Sequence, residues 1–150
     1  MHRVLVVEDQ ETLRQGILEV LSDFPLTLEG AATAAEARQR LRAQSYSIVL
    51  TDLRLESAEA GLELVREVAG RAPRSEVMLM TAFASVEVAV EAMKAGAFDF
   101  LVKPFSMEQL RQKFTRLIAL LDARASLERE RERNELLRDE IMQSWGGGEL

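Results

Sequence analysis

Few residues in this chain of 150 combine a reactive side chain with a place at the end of an apolar run. Glu8-Asp9 closes the run Val4-Leu5-Val6-Val7, Thr51-Asp52 closes Ile48-Val49-Leu50, Thr81 follows Val77-Met78-Leu79-Met80, and Lys103-Pro104 follows Phe100-Leu101-Val102. The chain has no cysteine, and its single histidine, His2, stands at the very start. Thiolate zinc sites, disulfides, cysteine nucleophiles and histidine-based triads are thereby set aside, which leaves carboxylates, hydroxyls and lysine. Carboxylates gathered at one place repel unless a hard cation sits among them, and oxygen ligands of this kind suit Mg²⁺. An aspartate facing such a cation and a lysine is placed for phosphoryl transfer, where catalysis is mostly positioning and charge neutralisation.

These residues meet only if the fold brings four strand ends together. Short apolar, partly β-branched runs alternate with stretches of helical period, the pattern of βαβ units around a parallel sheet. Strands are expected over 3–7, 26–31, 47–51, 76–80 and 98–102, and several are continuously apolar, as strands covered on both faces are. The first helix is expected over 11–22, with Leu13, Ile17, Val20, Leu21 and Phe24 inward and Pro25 stopping it. Thr33 with Glu36 reads as a capping box, Gly61 leads into a third helix followed by Pro73, and a fourth covers about 85–95 with Gly96 in the left-handed position past its end. The expected fold is α/β: a five-stranded, doubly wound parallel sheet with an extended C-terminal helix. In such sheets ligands bind at the carboxyl ends of the strands, beside the switch in strand order. Glu8, Asp9, Asp52, Thr81 and Lys103 all fall there.

Ser106 with Gln109 forms a second capping box, and no Gly or Pro follows until Gly146. The helix so opened could run about 35 residues, or ~50 Å. Leu110, Phe114, Leu117 and Leu121 have core-facing spacing, whereas the sequence from Asp122 onward is dense in Glu and Arg. The expected division is 1–121 as the folded domain, 122–143 as a helical linker and 144–150 as a flexible glycine-rich tail. Leu120, Leu127, Asn134 and Ile141 recur every seven residues, with Ala123 and Leu137 at the companion apolar position. Asn134 would be the polar seam residue that fixes register. Glu130 falls within the seam, and Arg133 would face Arg138 of a parallel partner, so a dimeric coiled coil and a single solvated helix both remain open.

At 47% hydrophobic and 29% charged, the composition supports one good-sized core and no second one. No run approaches the length of a membrane span and no signal peptide is read at the N-terminus, so the cytoplasm is the expected location and no membrane association is expected. A net charge of −6 speaks against direct nucleic-acid binding by this chain.

The segments Val4-Leu5-Val6-Val7-Glu8-Asp9, Ile48-Val49-Leu50-Thr51-Asp52, Met80-Thr81-Ala82-Phe83-Ala84 and Gly96-Ala97-Phe98-Asp99-Phe100-Leu101-Val102-Lys103-Pro104-Phe105 together resemble the receiver domain of two-component response regulators, over about residues 1–121. The resemblance implies a flavodoxin-like receiver fold. It implies that Asp52 accepts a phosphoryl group from a sensor histidine kinase, and that Glu8, Asp9, Asp52 and the backbone carbonyl of Arg54 hold Mg²⁺. Lys103 and Thr81 would contact the phosphoryl oxygens, Phe100 would be the aromatic that turns inward when Thr81 moves, and the Lys103–Pro104 bond would be cis. Such a domain is no conventional enzyme; it catalyses only its own phosphorylation and slow dephosphorylation. As a plain core residue, Phe100 has a bland reading too.

The chain departs from the family pattern after Asp52, where Glu56 stands at a common proline position and one extra residue precedes Gly61, and at Phe100, where Tyr is frequent. Thr81 to Ser85, Ala92 to Phe100 and the charged helix ending Leu136-Leu137-Arg138-Asp139-Glu140-Ile141 are similar to NtrC-type activators of sigma-N RNA polymerase. That similarity implies a homodimer and downstream AAA+ and DNA-binding domains, which these 150 residues lack: no G-x-x-x-x-G-K-[ST] loop occurs. A stand-alone or phosphorylation-independent interaction module is the alternative. A haloacid dehalogenase-type phosphatase would need a second aspartate where Arg54 stands, and Glu8-Asp9-Gln10-Glu11 would repel the phosphate of a flavin unless a metal intervened.

Overall fold

A computed structural model describes residues 1–55, 60–71, 75–82 and 86–148. The elements are β1 (His2–Val7), α1 (Glu11–Leu21), β2 (Leu26–Ala31), α2 (Ala34–Ala43), β3 (Ile48–Asp52), α3 (Ala60–Ala69), β4 (Glu76–Thr81), α4 (Val86–Lys94), β5 (Asp99–Val102) and α5 (Met107–Gly148). All five strands run parallel in the order β2-β1-β3-β4-β5. The order reverses between β1 and β3, so the strands ending in Glu8-Asp9 and Asp52 lie side by side, with Val7 in register with Thr51 and Asp52 with Met80. The last pair in register at the other edge is Thr81 with Val102, which carries Lys103 to the same end.

Successive strand residues point to opposite faces, and both faces are apolar here. Leu5, Val7, Val49, Val77 and Leu79 join Ala37 of α2, Leu64, Val65 and Val68 of α3 and Ala92 of α4 in one core. Val4, Val6, Ile48, Leu50, Met78 and Met80 are fully buried on the alternate positions, as are Ile17 and Leu21 of α1. The remaining residues of the expected α1 stripe, Leu13, Val20 and Phe24, are half-buried.

Local signals account for most element ends. Glu36 N–H donates to Thr33 Oγ1 at 3.1 Å, but the Glu36 carboxylate returns to the N–H of Ala32 at 3.0 Å rather than to that of Thr33, so the box closes one residue further out. Ser106 and Gln109 close a full reciprocal box at 3.0 and 3.1 Å. Gly96 takes φ +113° just past α4, in the region that penalises any β-carbon. The expectations for Glu56, Pro73, Phe83, Ala84 and Ser85 lie outside the described residues.

The chain divides into two compact units, Met1–Arg111 and Gln112–Leu150. Within the second, Phe114 and Leu117 are buried, Leu120 and Leu121 are half-buried, and every residue from Asp122 to Trp145 is exposed. The sequence ends the helix before residue 144 because Gly146 begins a glycine run, yet α5 continues to Gly148, so residues 144–148 are helical instead of forming a tail. Glycine weakens a helix without forbidding it. Among the described residues no helix is long and apolar enough to cross a membrane.

Candidate functional site

The backbone at the end of β1 carries Glu8 one residue past the sheet, where its N–H still bonds to the Ala31 carbonyl at 3.0 Å. Leu53, next after β3, does the same with Met80 at 2.8 Å, and the N–H of Lys103 bonds to the Thr81 carbonyl at 2.7 Å. The site residues thus stand on extensions of the ladder. Their side chains converge: carboxylate oxygens of Glu8, Asp9 and Asp52 all lie within 4.8 Å of one another. Glu8 is fully buried, Asp52 and Thr81 nearly so, and Asp9 is exposed, which opens the cluster to solvent on one side.

Lys103 neutralises part of this charge. Its ammonium donates to Asp52 Oδ2 at 2.7 Å and to Glu8 Oε1. The second oxygen of Asp52 accepts from the Arg54 backbone N–H at 3.0 Å, and Glu8 Oε2 accepts from the Asp9 N–H at 3.0 Å. Burial is the main force on Glu8: it pushes the carboxyl up to about 7, with the neighbouring Asp52 adding to the rise and Lys103 opposing it. Burial alone would lower the Lys103 ammonium, but its hydrogen bonds to Asp52 and Glu8 outweigh that and hold it above its ordinary value. One ammonium against three carboxylates leaves a deficit of positive charge, and the donors are hard oxygens. The cluster fits a dication such as Mg²⁺.

Of the residues singled out from sequence, Glu8, Asp9, Asp52 and Lys103 come together, and Arg54 reaches the cluster through its backbone N–H. Thr81 sits at the adjacent strand end. The Lys103–Pro104 bond is cis. Phe100, on β5, is 36% exposed, so it is not the core residue its bland reading required. Two contacts are not foreseen from the sequence, although Gly61 itself is singled out there as leading into the third helix. A β-carbon on Gly61 would stand 1.9 Å from the Leu53 carbonyl oxygen and 2.6 Å from that of Asp52, so α3 begins pressed against the backbone that carries Asp52. Arg14, on α1, donates to the Glu8 carbonyl at 2.8 Å. Neither lies within hydrophobic periodicity or a strand end, the two signals by which the other site residues are found.

The geometry agrees with comparisons to known proteins. PilR, a response regulator protein of Pseudomonas aeruginosa, is 36% identical over 110 residues, which are 73% of this chain and 24% of that protein. NtrX from Brucella abortus superposes with a TM-score of 0.76 at 26% identity over 85% of this chain and 29% of that one. The chemotaxis response regulator CheY4 of Vibrio cholerae gives 0.71 at 28% identity, over 78% of this chain and 98% of that one. The chain spans about a quarter of the length of the curated relatives it matches. The family model of the response regulator receiver domain matches residues 4–115, a range that includes Glu8, Asp9, Asp52, Arg54, Thr81, Phe100 and Lys103, and the chain belongs to that family.

Proposed function

We propose that Asp52 accepts a phosphoryl group from the phosphohistidine of a sensor histidine kinase in the cytoplasm, and that the change is passed on through the pairing of two chains. The observation that carries this reading is the hold on Asp52: one oxygen is taken by Lys103 at 2.7 Å and the other by the Arg54 N–H at 3.0 Å, beside two further carboxylates. A carboxylate oriented this way can attack phosphorus in line. The O–P bond forms as the N–P bond of the phosphohistidine breaks, and the leaving imidazole keeps the electron pair and takes a proton. Glu8, Asp9, Asp52 and the Arg54 carbonyl would hold Mg²⁺, which when bound neutralises charge on the phosphoryl oxygens. Lys103 turns its ammonium from Asp52 to a phosphoryl oxygen, and the Thr81 hydroxyl donates to another. Phe100, outward in this structure, turns inward behind Thr81. Apart from this transfer and slow self-dephosphorylation the chain is not an enzyme.

The output is read from α5 and from the relatives. Leu120, Leu127, Asn134, Leu137 and Ile141 form the seam of a homodimer, and Leu127, Leu137 and Ile141 are exposed at 66%, 49% and 58%. Relatives named as transcriptional regulators are several times longer than this chain, which supports an NtrC-type parent whose AAA+ and DNA-binding domains act on sigma-N RNA polymerase. Incubating the chain with Mg²⁺ and acetyl phosphate should add one phosphoryl group by intact mass. Asp52→Asn should take up none, and equal uptake by that variant would refute the assignment.

A further inference from the structure

The peptide unit between Glu8 and Asp9 is gripped at both of its polar ends. Its carbonyl accepts from the Arg14 guanidinium at 2.8 Å, and its N–H donates to Glu8 Oε2 at 3.0 Å. The two cluster acids flank this one peptide plane, so its rotation would swing the Asp9 carboxylate and release Oε2 of Glu8 together. We infer that Arg14 is a positioning residue of the acidic site, which fixes the Glu8–Asp9 peptide plane and so aims both carboxylates at the cation. The inference rests on the phosphoacceptor reading above and deepens it.

The reach of Arg14 depends on Gly30. Gly30 pairs with Val6 on the neighbouring strand, and a β-carbon there would lie 3.2 Å from Arg14 Cδ and 3.6 Å from its Cγ. The aliphatic stem of Arg14 therefore crosses β2 where that strand has no side chain. A flexible stem must shift by a few tenths of an ångström to admit even a methyl group. Every other polar group of Glu8 is held as well: its N–H by Ala31 and Oε1 by Lys103. Without Arg14 the only polar group of buried Glu8 left without its partner would be the carbonyl, and rotation of the peptide toward water is the relief open to it.

The sign of the effect on metal binding separates positioning from bare charge. Removing a guanidinium near an acidic site should tighten the binding of a dication if its charge alone matters. Removing the group that aims the ligands should weaken it, by about tenfold as for other residues that orient metal ligands. Calorimetric titration of the 150-residue chain with MgCl₂ should therefore show Arg14→Met raising the Mg²⁺ Kd about tenfold, with Arg14→Lys recovering part of the loss. Gly30→Ala should raise Kd less, and should have a smaller effect still in an Arg14→Ala background, where only the tip of Leu18, 3.4 Å from the added carbon, remains to be displaced. Hydrogen exchange of the Asp9 amide in the metal-free chain supplies a second readout, expected to quicken in Arg14→Met. An unchanged or lower Kd, or unchanged Asp9 exchange, overturns the inference. A wild-type chain that binds no Mg²⁺ overturns the metal reading instead, and Asp9 exchange then still decides the role of Arg14.

Discussion

Lys103 Nζ stands 2.7 Å from Asp52 Oδ2 across a separation of 51 residues in the chain. On the phosphoacceptor reading proposed above, the ammonium that would meet the phosphoryl group already holds the carboxylate that would receive it. One contact would then prepare both attack and charge neutralisation, and the lysine brought to this strand end has two carboxylate partners.

Removing that ammonium separates the two roles. Lys103→Met should lower the rate of Asp52 phosphorylation by acetyl phosphate about 100-fold, the usual loss when a group that stabilises developing charge is deleted. It should also cost about 3 kcal/mol in urea unfolding of the metal-free chain, because Glu8 and Asp52 lose their common cation while remaining buried. An unaltered rate would show that Lys103 does not act on the phosphoryl group.

Gly61→Ala forces a β-carbon to within 1.9 Å of the Leu53 carbonyl oxygen, and a backbone atom cannot step aside as a side-chain tip can. The substitution should cost about 2 kcal/mol or more by urea unfolding. Because the displaced backbone carries Asp52, phosphoryl uptake should fall too. Native stability and uptake in this variant would mean that α3 withdraws without disturbing the site.

Glu29 predicts a pH dependence away from the site. Burial would raise its carboxyl, but the nearby Tyr46 hydroxyl and the guanidinium groups of Arg3 and Arg40 outweigh burial and hold it below its ordinary value. The Tyr46 hydroxyl completes no hydrogen bond of standard geometry, so the two arginines at 3.3 Å are the stronger cause. A carboxyl depressed in the folded chain stabilises it above the unfolded value near 4.5, and that contribution is lost as pH falls through the folded value. Thermal melts should accordingly show Glu29→Gln less stable than wild type at pH 7, with the gap closing toward pH 3. A gap that stays constant over that range would exclude the linkage.

Ending the chain after Leu121 should raise the dimer dissociation constant at least tenfold in sedimentation, since the exposed Leu127, Leu137 and Ile141 are removed. Leu127→Ala with Leu137→Ala in the full chain should weaken pairing in the same direction. Equal dimerisation of the long and short chains would move the interface off α5.

The sequence alone carried the alternation of strands and helices, the Ser106–Gln109 box, the positive φ at Gly96 and the four strand ends where chemistry collects. Each is local: a period, a cap or a residue without a β-carbon leaves its mark within a few positions. Helix α5 departs from that rule, because the glycines that suggested its end lie within the helix. What only the tertiary structure decided are contacts between distant segments. The joint hold of Lys103 on Glu8 and Asp52, the pressing of Gly61 on Leu53, the passage of Arg14 over Gly30 and the outward stance of Phe100 follow from how β1, β2, β3 and β5 align and how α1 and α3 lie on the sheet. Residue types name the groups able to react, but ångström-scale approach between segments far apart in the chain is fixed only when the whole core packs at once.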